Sequence, residues 1–182
     1  MNGRKFKILV LDGYPKDHRQ ELAAHDGTLA GELYAARLKD IDGDCEPDIA
    51  YPADLDCVLP SGAALSAYDG IVWTGASLTI HDQNDERVVR QIRFAQAVFE
   101  ARVPMFGSCW AAQMAVTAAG GYCAPNPRGR EFGLARKIQL TPAGRGHAMY
   151  VGKTDVFDGF TSHQDEITHV PTGSVVLSSN GF

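Results

Sequence analysis

Cys109 lies where a predicted strand ends and a predicted helix begins. Residues 103–116 read VPMFGSCWAAQMAV: an apolar run, a Gly-Ser-Cys turn, and then an apolar stretch of helical character. This pattern predicts a nucleophile elbow with Cys109 at its tip, sulfur replacing the serine oxygen of the hydrolase motif. The sharp turn brings the residues two before and two after the nucleophile together. Both are small, as required: Gly107 and Ala111.

A cysteine in this setting suits attack on a carbonyl carbon. Unpaired backbone N–H groups and the positive end of the helix dipole favour the thiolate, which is the attacking species. The N–H of Trp110 is predicted to point toward the developing oxyanion. The alternative is a structural cysteine packed in a strand–helix turn. No such turn surrounds Cys45, Cys57 or Cys123, and we expect these three to be inert.

The elements that would position this turn alternate between short apolar runs and helical stretches. Strands are predicted over residues 7–12, 48–51, 68–74 and 103–106, with later ones at 136–140 and 174–178. Helices are predicted over 18–39 and 85–101. The alternation predicts an α/β fold whose mostly parallel sheet is flanked by helices, with 103–106 as a central buried strand.

Details of the two predicted helices qualify this interpretation. Gly27 and Gly31 weaken the first helix. The second carries an apolar stripe at helical spacing, formed by Val88, Ile92, Ala95 and Phe99. The polar run HDQNDE at residues 81–86 could hold a cation, but we interpret it as the solvated start of the second helix, with its acids near the positive end.

Composition excludes several classes of function. The 182 residues fit one domain, and a formal net charge of -5 at pH 7 gives no field that attracts nucleic acid. No segment approaches the roughly 20 apolar residues of a membrane helix, so we expect a cytoplasmic protein with no membrane partner. The four cysteines have no zinc spacing and no phosphate-binding loop occurs, so we expect no metal and no cofactor.

The stretch GSCWAAQ, residues 107–113, resembles the G-x-C-x-G-x-Q signature of class I glutamine amidotransferases, with Ala111 where that family usually has glycine. Three further stretches are similar to GMP synthetase-type amidotransferase domains and their stand-alone relatives: YDGIVWTGASLTIHD (68–82), REFGLARKIQL (130–140) and SHQDEITHVPTG (162–173). The resemblance implies a flavodoxin-like amidotransferase fold over the single domain 1–182.

The resemblance also implies a mechanism and a set of site residues. Cys109 would attack the γ-carbonyl of glutamine, release ammonia, and leave a thioester that water hydrolyses to glutamate. Backbone N–H groups of Ala76 and Trp110 would form the oxyanion hole. Gln113 would position the substrate, and His163 and Asp165 lie in the stretch that borders the glutamine pocket.

The general base of that family is a histidine in an F-H-P-E motif, which these residues do not contain. We therefore expect that the chain lacks the C-terminal segment of an amidotransferase domain. An alternative general base lies within the chain. His163 is followed by Asp165 and Glu166, and this order copies a base and the acid that orients it.

Three functions are open at this point. The first is an amidohydrolase that feeds ammonia to a separate synthetase subunit, or that cleaves γ-glutamyl amides or peptides. The second is a non-catalytic binding module of the same fold. The third is a cysteine hydrolase or redox sensor of a related architecture, a group in which histidine tends to follow the nucleophile directly, whereas Trp110 follows it here.

Overall fold

The structure is a computed structural model that describes residues 5–181. The chain divides into two compact units, one ending at Ala119 and the other beginning at Gly120. Along residues 5–181 no helix combines the length and the apolar character needed to span a membrane.

The first unit is built on a parallel sheet. Its strands follow the order β2-β1-β3-β4, where β1 is Phe6–Leu11, β2 is Cys45–Ala50, β3 is Gly70–Trp73 and β4 is Met105–Gly107. All three pairings are parallel. This is the start of the flavodoxin-like strand order. The predicted α/β class with a parallel sheet and flanking helices is confirmed.

In the described part of the first unit, from residue 5 onward, five helices accompany this sheet: α1 (Lys16–Ala24), α2 (Ala30–Ile41), α3 (Gly62–Leu65), α4 (Glu86–Glu100) and α5 (Trp110–Ala118). The single helix predicted over 18–39 is wrong, because the chain turns between α1 and α2. Asp26 takes a φ of 56°, and the N–H of Gly27 donates to the carbonyl of Leu22 at 2.9 Å. A left-handed residue that closes such a bond ends a helix.

The buried face of α4 is rotated from the predicted stripe. Phe99 is 42% exposed, whereas the residues that α4 buries are Val88, Gln91, Phe94, Ala95 and Val98. A polar side chain lies in this buried face because Gln91 has a hydrogen-bond partner inside the unit, described below.

Strand β4 is not the central buried strand that was predicted. Among the described strands it ends the order of the parallel sheet and pairs on one side only, with β3. Phe106 is 50% exposed, so the strand is not buried either.

The second unit is antiparallel. It contains β5 (Tyr122–Pro125), β6 (Glu131–Leu140), β7 (Val156–His163), β8 (Asp165–His169) and β9 (Ser178–Ser179), with the short helix α6 (Pro142–Arg145) and a 3₁₀ turn at Ala148–Tyr150. Strand β5 pairs with β8, and β6 lies between β7 and β9. The sequence prediction of strands at 136–140 and 174–178 missed most of these bounds.

Candidate active site

Cys109 lies at the sharp turn between β4 and α5. It is the N-cap of α5, and its φ of 52° and ψ of -108° are rare for a residue with a side chain. Such a conformation costs about 1–3 kcal/mol and persists only where its surroundings enforce it. A methyl group on Gly107 would lie 3.0 Å from Cβ of Ala111, so the turn needs glycine at that position.

The start of α5 supplies the electrostatics. The first N–H groups of a helix, beginning here with that of Trp110, have no acceptor within the helix. The positive end of the helix dipole therefore lies at Cys109, where it favours a thiolate. The side chain of Cys109 is exposed, while Trp110 beside it is 1% exposed.

The loops that follow β1, β3 and β4 are joined by hydrogen bonds at one edge of the sheet. The N–H of Gly13 donates to Oγ1 of Thr74 at 3.0 Å, and the N–H of Thr74 donates to the carbonyl of Leu11 at 3.0 Å. The N–H of Ser108 donates to the carbonyl of Trp73 at 3.2 Å. Ligands of α/β folds bind at this edge, beyond the carboxyl ends of the strands.

The loop after β3 approaches the nucleophile closely. A methyl group placed on Gly75 would lie 3.7 Å from Cβ of Cys109. One placed on Gly13 would lie 3.1 Å from the carbonyl oxygen of Gly75 and 3.3 Å from Cβ of Ala76, so the loop is held tightly from behind. The structure thus brings the Ala76 loop and the first residue of α5 to the same turn. Their use as oxyanion donors stays a prediction.

Trp110 anchors the elbow through its side chain. Its indole Nε1 donates to Oε1 of Gln91 at 3.0 Å, and Nε2 of Gln91 donates to the carbonyl of Arg87 at 3.2 Å. Gln91 is fully buried. Sequence analysis missed this residue, although a glutamine one turn after Val88 and one turn before Ala95 is a signal of a buried polar contact.

Asp12 fixes the loop after β1. Its carboxylate is fully buried and accepts from the N–H of Tyr14 at 3.1 Å and from the N–H of Gly31 at 2.9 Å. Burial raises the pKa of Asp12, and the two backbone hydrogen bonds oppose that rise. A methyl group on Gly31 would lie 3.1 Å from Cβ of Asp12. Gly31 weakens the helix prediction, but its missing side chain lets the start of α2 pack against the carboxylate of Asp12.

Tyr14 extends from this loop toward the elbow. Its hydroxyl oxygen would lie 3.9 Å from a methyl group on Gly75, the position that also lies 3.7 Å from Cβ of Cys109. Burial, followed by the negative charge of Cys109, raises the pKa of Tyr14. Arg19 holds the backbone of Tyr14 in place, because its guanidinium donates to the carbonyl of Tyr14 at 2.5 Å. The same guanidinium pairs with Asp54 at 2.6 Å. Sequence analysis did not find Tyr14.

Gln113 lies one turn into α5. Its N–H donates to the carbonyl of Cys109 at 3.2 Å, and the residue is 8% exposed. Nucleophile and glutamine therefore share the first turn of the helix, as the G-x-C-x-G-x-Q spacing requires.

His163, in the second unit, contacts an acid that sequence analysis did not choose. Glu131 and His163 are directly opposite on β6 and β7. Nε2 of His163 lies 2.8 Å from Oε2 of Glu131, and Nδ1 lies 3.0 Å from the backbone oxygen of Asp165. The other oxygen of Glu131 accepts from Asn180 at 2.6 Å. Asp165 thus contacts this ring through its backbone, and the carboxylate at the ring belongs to Glu131.

Metal ligands do not cluster in the part of the chain that the structure describes. Within residues 5–181 no group of three or more His, Cys, Asp or Glu side chains is arranged to hold an ion. The run at 81–86 leads into α4, where Asp85 is the N-cap and accepts from the N–H of Arg87.

Comparison with known sequences places these features in context. The family model described as glutamine amidotransferase class-I matches residues 59–181. The chain is 36% identical over 179 residues to a gamma-glutamyl-L-1-hydroxyisopropylamide hydrolase of a Pseudomonas species, a match that covers 97% of this chain and 60% of the relative. It is 30% identical over 160 residues to a glutamine-hydrolysing GMP synthase of Pseudomonas aeruginosa, covering 84% of this chain and 27% of the relative. The chain thus spans less than two thirds of these relatives.

Solved structures share the fold at low sequence identity. A glutamine amidotransferase from Thermotoga maritima superposes with a TM-score of 0.69 at 11% identity, covering 98% of this chain and 69% of that chain. A glutamine amidotransferase from Methylobacillus flagellatus gives a TM-score of 0.62 at 17% identity, covering 98% of this chain and 62% of the other.

Proposed function

This chain belongs to the class I glutamine amidotransferase family, and on that basis we propose that it is a cysteine amidohydrolase that cleaves the γ-amide bond of glutamine or of a γ-glutamyl compound. The observation that carries the proposal is the setting of Cys109. An exposed thiol in a strained turn at a helix N-terminus, beside the loop of Gly75, is arranged for nucleophilic attack.

The proposed reaction is acyl transfer through a thioester. The Cys109 thiolate bonds to the γ-carbonyl carbon while the N–H groups of Ala76 and Trp110 stabilise the oxyanion. The leaving nitrogen takes up a proton from water, the C–N bond breaks, and ammonia or an amine departs. Water then cleaves the thioester, which releases glutamate and restores the thiolate. Gln113 and Asp165 keep the substrate-binding roles that the family resemblance implies.

His163 is proposed to order its strand and not to act as the general base. A general base needs a ring nitrogen with a lone pair directed at the proton it removes. Both ring nitrogens of His163 already contact acceptor atoms, the carboxylate of Glu131 and the backbone oxygen of Asp165. The family resemblance implies that His163 borders the substrate pocket. We propose that it contributes there by holding β7 and the start of β8 in place.

The two groups of relatives support different substrates. The relative at 36% identity is named for a γ-glutamyl amide, which supports an N-substituted γ-glutamyl amide as substrate. The GMP synthases are named as glutamine-hydrolysing, which supports glutamine as the substrate and a separate synthetase as the partner that receives ammonia. We propose the γ-glutamyl amide first, because the relative named for it is 36% identical over 97% of this chain, whereas the GMP synthase is 30% identical over 84% of it.

Glutamate release tests this function. The protein, Cys109→Ala and the control Cys57→Ala would be assayed with glutamine and with N-alkyl γ-glutamyl amides. We expect Cys109→Ala to lower kcat/KM by about a thousandfold or more, as loss of a covalent nucleophile does, and the control to change it less than about twofold. Glutamate release by Cys109→Ala within about tenfold of the unaltered protein would refute the proposal.

A further inference from the structure

Thr74 is a fully buried polar residue that directly follows β3. Its hydroxyl oxygen accepts a hydrogen bond from the N–H of Gly13 at 3.0 Å and donates one to the carbonyl oxygen of Gly75 at 2.8 Å. A threonine hydroxyl has a single proton to donate. Because the N–H of Gly13 supplies the proton of the first bond, the hydroxyl proton is free for the carbonyl of Gly75. The hydroxyl therefore links the loop after β1 to the loop after β3.

This hydrogen bond fixes the orientation of the peptide group that joins Gly75 to Ala76. A trans peptide group is planar, so its N–H points away from the side to which its C=O points. The peptide bond between Gly75 and Ala76 is trans. Its carbonyl oxygen is turned toward the hydroxyl of Thr74 and lies 3.1 Å from a methyl group placed on Gly13. The N–H of Ala76 is therefore directed away from the loop after β1.

Cys109 lies beside the same peptide group. A methyl group placed on Gly75 would lie 3.7 Å from Cβ of Cys109, so the α-carbon at which this peptide group begins is next to the nucleophile. With the carbonyl held by Thr74, the N–H of the peptide group is left to interact with a substrate oxygen. The reverse orientation would bring a carbonyl oxygen toward a developing negative charge, which repels it.

We propose that Thr74 is a positioning residue for the reaction, because its hydroxyl holds this peptide group in the orientation in which the N–H of Ala76 stabilises the oxyanion. The inference rests on the proposed function, since it explains how one of the two oxyanion donors is held. Thr74 acts through the peptide group and not through contact with the substrate. An oxyanion gains more from the N–H than a neutral substrate carbonyl does, so Thr74 affects the chemical step more than substrate binding.

Thr74→Val removes the hydroxyl and tests this role. Glutamate release would be measured for the unaltered protein, Thr74→Val, Thr74→Ser, which restores the hydroxyl, and the control Thr28→Val at an exposed loop position. We expect Thr74→Val to lower kcat by about tenfold or more, since loss of one oxyanion donor costs about a hundredfold to a thousandfold. Thr74→Ser and Thr28→Val should each stay within about threefold. A fall of less than about tenfold in Thr74→Val, or an equal fall in Thr74→Ser, would overturn the inference.

Two further measurements distinguish a misoriented oxyanion donor from general damage to the site. Alkylation of Cys109 by iodoacetamide displaces iodide at a saturated carbon and forms no oxyanion, so its rate should be the same in Thr74→Val and in the unaltered protein. Glutamine should bind Cys109→Ala equally with and without Thr74→Val, as measured by calorimetry, because the ground-state carbonyl is neutral. A loss of alkylation or of binding that matches the loss of kcat would overturn the inference.

Failure of the inference and failure of the proposed function give different results. No glutamate release by the unaltered protein would refute the function and the inference with it. Glutamate release that persists in Thr74→Val at the rate of the unaltered protein would overturn the inference alone. Should Thr74→Val not fold, Thr74→Ala removes the same hydroxyl without placing a methyl group against Gly13 and Gly75, and the same change in kcat decides the outcome.

Discussion

The indole N–H of Trp110 donates a hydrogen bond to the side-chain oxygen of Gln91 across 3.0 Å, deep inside the first unit. This bond ties the residue directly after the nucleophile to the middle of α4. The backbone of Trp110 is the proposed oxyanion donor, so the bond fixes the group whose position matters most to the reaction. Both partners are buried, and neither can turn to water if the other is removed.

Gln91→Leu should destabilise the protein by about 1–3 kcal/mol, because it leaves a buried indole N–H without an acceptor. Trp110→Phe removes the donor and should also destabilise it. In the double variant both unsatisfied groups are gone. Its loss of unfolding free energy should therefore be smaller than the sum of the losses in the two single variants. Denaturant unfolding measures all three; strictly additive losses would show that the bond contributes nothing.

Gly13→Ala should displace the loop that faces Cys109. Its added methyl group would lie 3.1 Å from the carbonyl oxygen of Gly75 and 3.1 Å from Cδ1 of Trp110, which overpacks the site by about 1–3 kcal/mol. We expect glutamate release to fall more than stability alone explains. The matched control is Gly43→Ala, since a methyl group there meets no atom of the described chain within 4 Å. Equal activity in the two variants would contradict the close approach.

Asp85→Asn should change how stability depends on pH. The Arg87 side chain, which bonds to Asp85, holds the pKa of this carboxyl below 3.8. The ionised group therefore stabilises the fold above pH 3.8, and that contribution is lost as the pH falls through the lowered value. Asparagine keeps the helix cap but loses the charge.

The expected difference in unfolding free energy between Asp85→Asn and the unaltered protein is modest, because Arg87 is partly exposed. Asp85→Asn should be less stable than the unaltered protein by about 0.5–1 kcal/mol near neutral pH. Urea unfolding over a range of pH should show the two proteins converging below pH 3.8. A gap that stays constant into that acid range would argue against the ion pair as the cause.

Glu131→Gln should destabilise the second unit by about 1–3 kcal/mol, because it removes the charge that accepts from His163 and Asn180. The imidazole resonances of His163 should shift with it. Glu166→Gln is the control, because Glu166 is the other acid close behind His163 in the sequence, and it should cost little. A larger loss in Glu166→Gln than in Glu131→Gln would reverse our assignment of the acid at His163.

The elbow and the parallel sheet were predictable because their signals are local. Apolar runs mark β1 and β3, and the small residues Gly107 and Ala111 around Cys109 specify the turn without reference to distant parts of the chain. The turn that separates α1 from α2 was not predicted. Its Asp26-Gly27 pair interrupts a pattern that is otherwise helical on both sides.

The partners within the site depend on folding and were missed for that reason. Glu131 reaches His163 only through the register of β6 against β7, which a bulge between Ala135 and Ile138 alters. Tyr14 reaches the neighbourhood of Cys109 because β1 and β4 both flank β3 in the sheet order. Pairings of this kind join residues far apart in sequence, and no local pattern encodes them.

Site-specific labelling tests the central claim, that Cys109 is the nucleophile of a glutamine-type acyl transfer. The protein would be treated with a diazoketone analogue of glutamine, and the modified residue identified by peptide mass spectrometry. We predict a single adduct on Cys109, slowed by glutamine or a γ-glutamyl amide and absent from Cys109→Ala. An adduct on Cys57, or labelling of Cys109 at a rate that substrate does not change, would contradict this account.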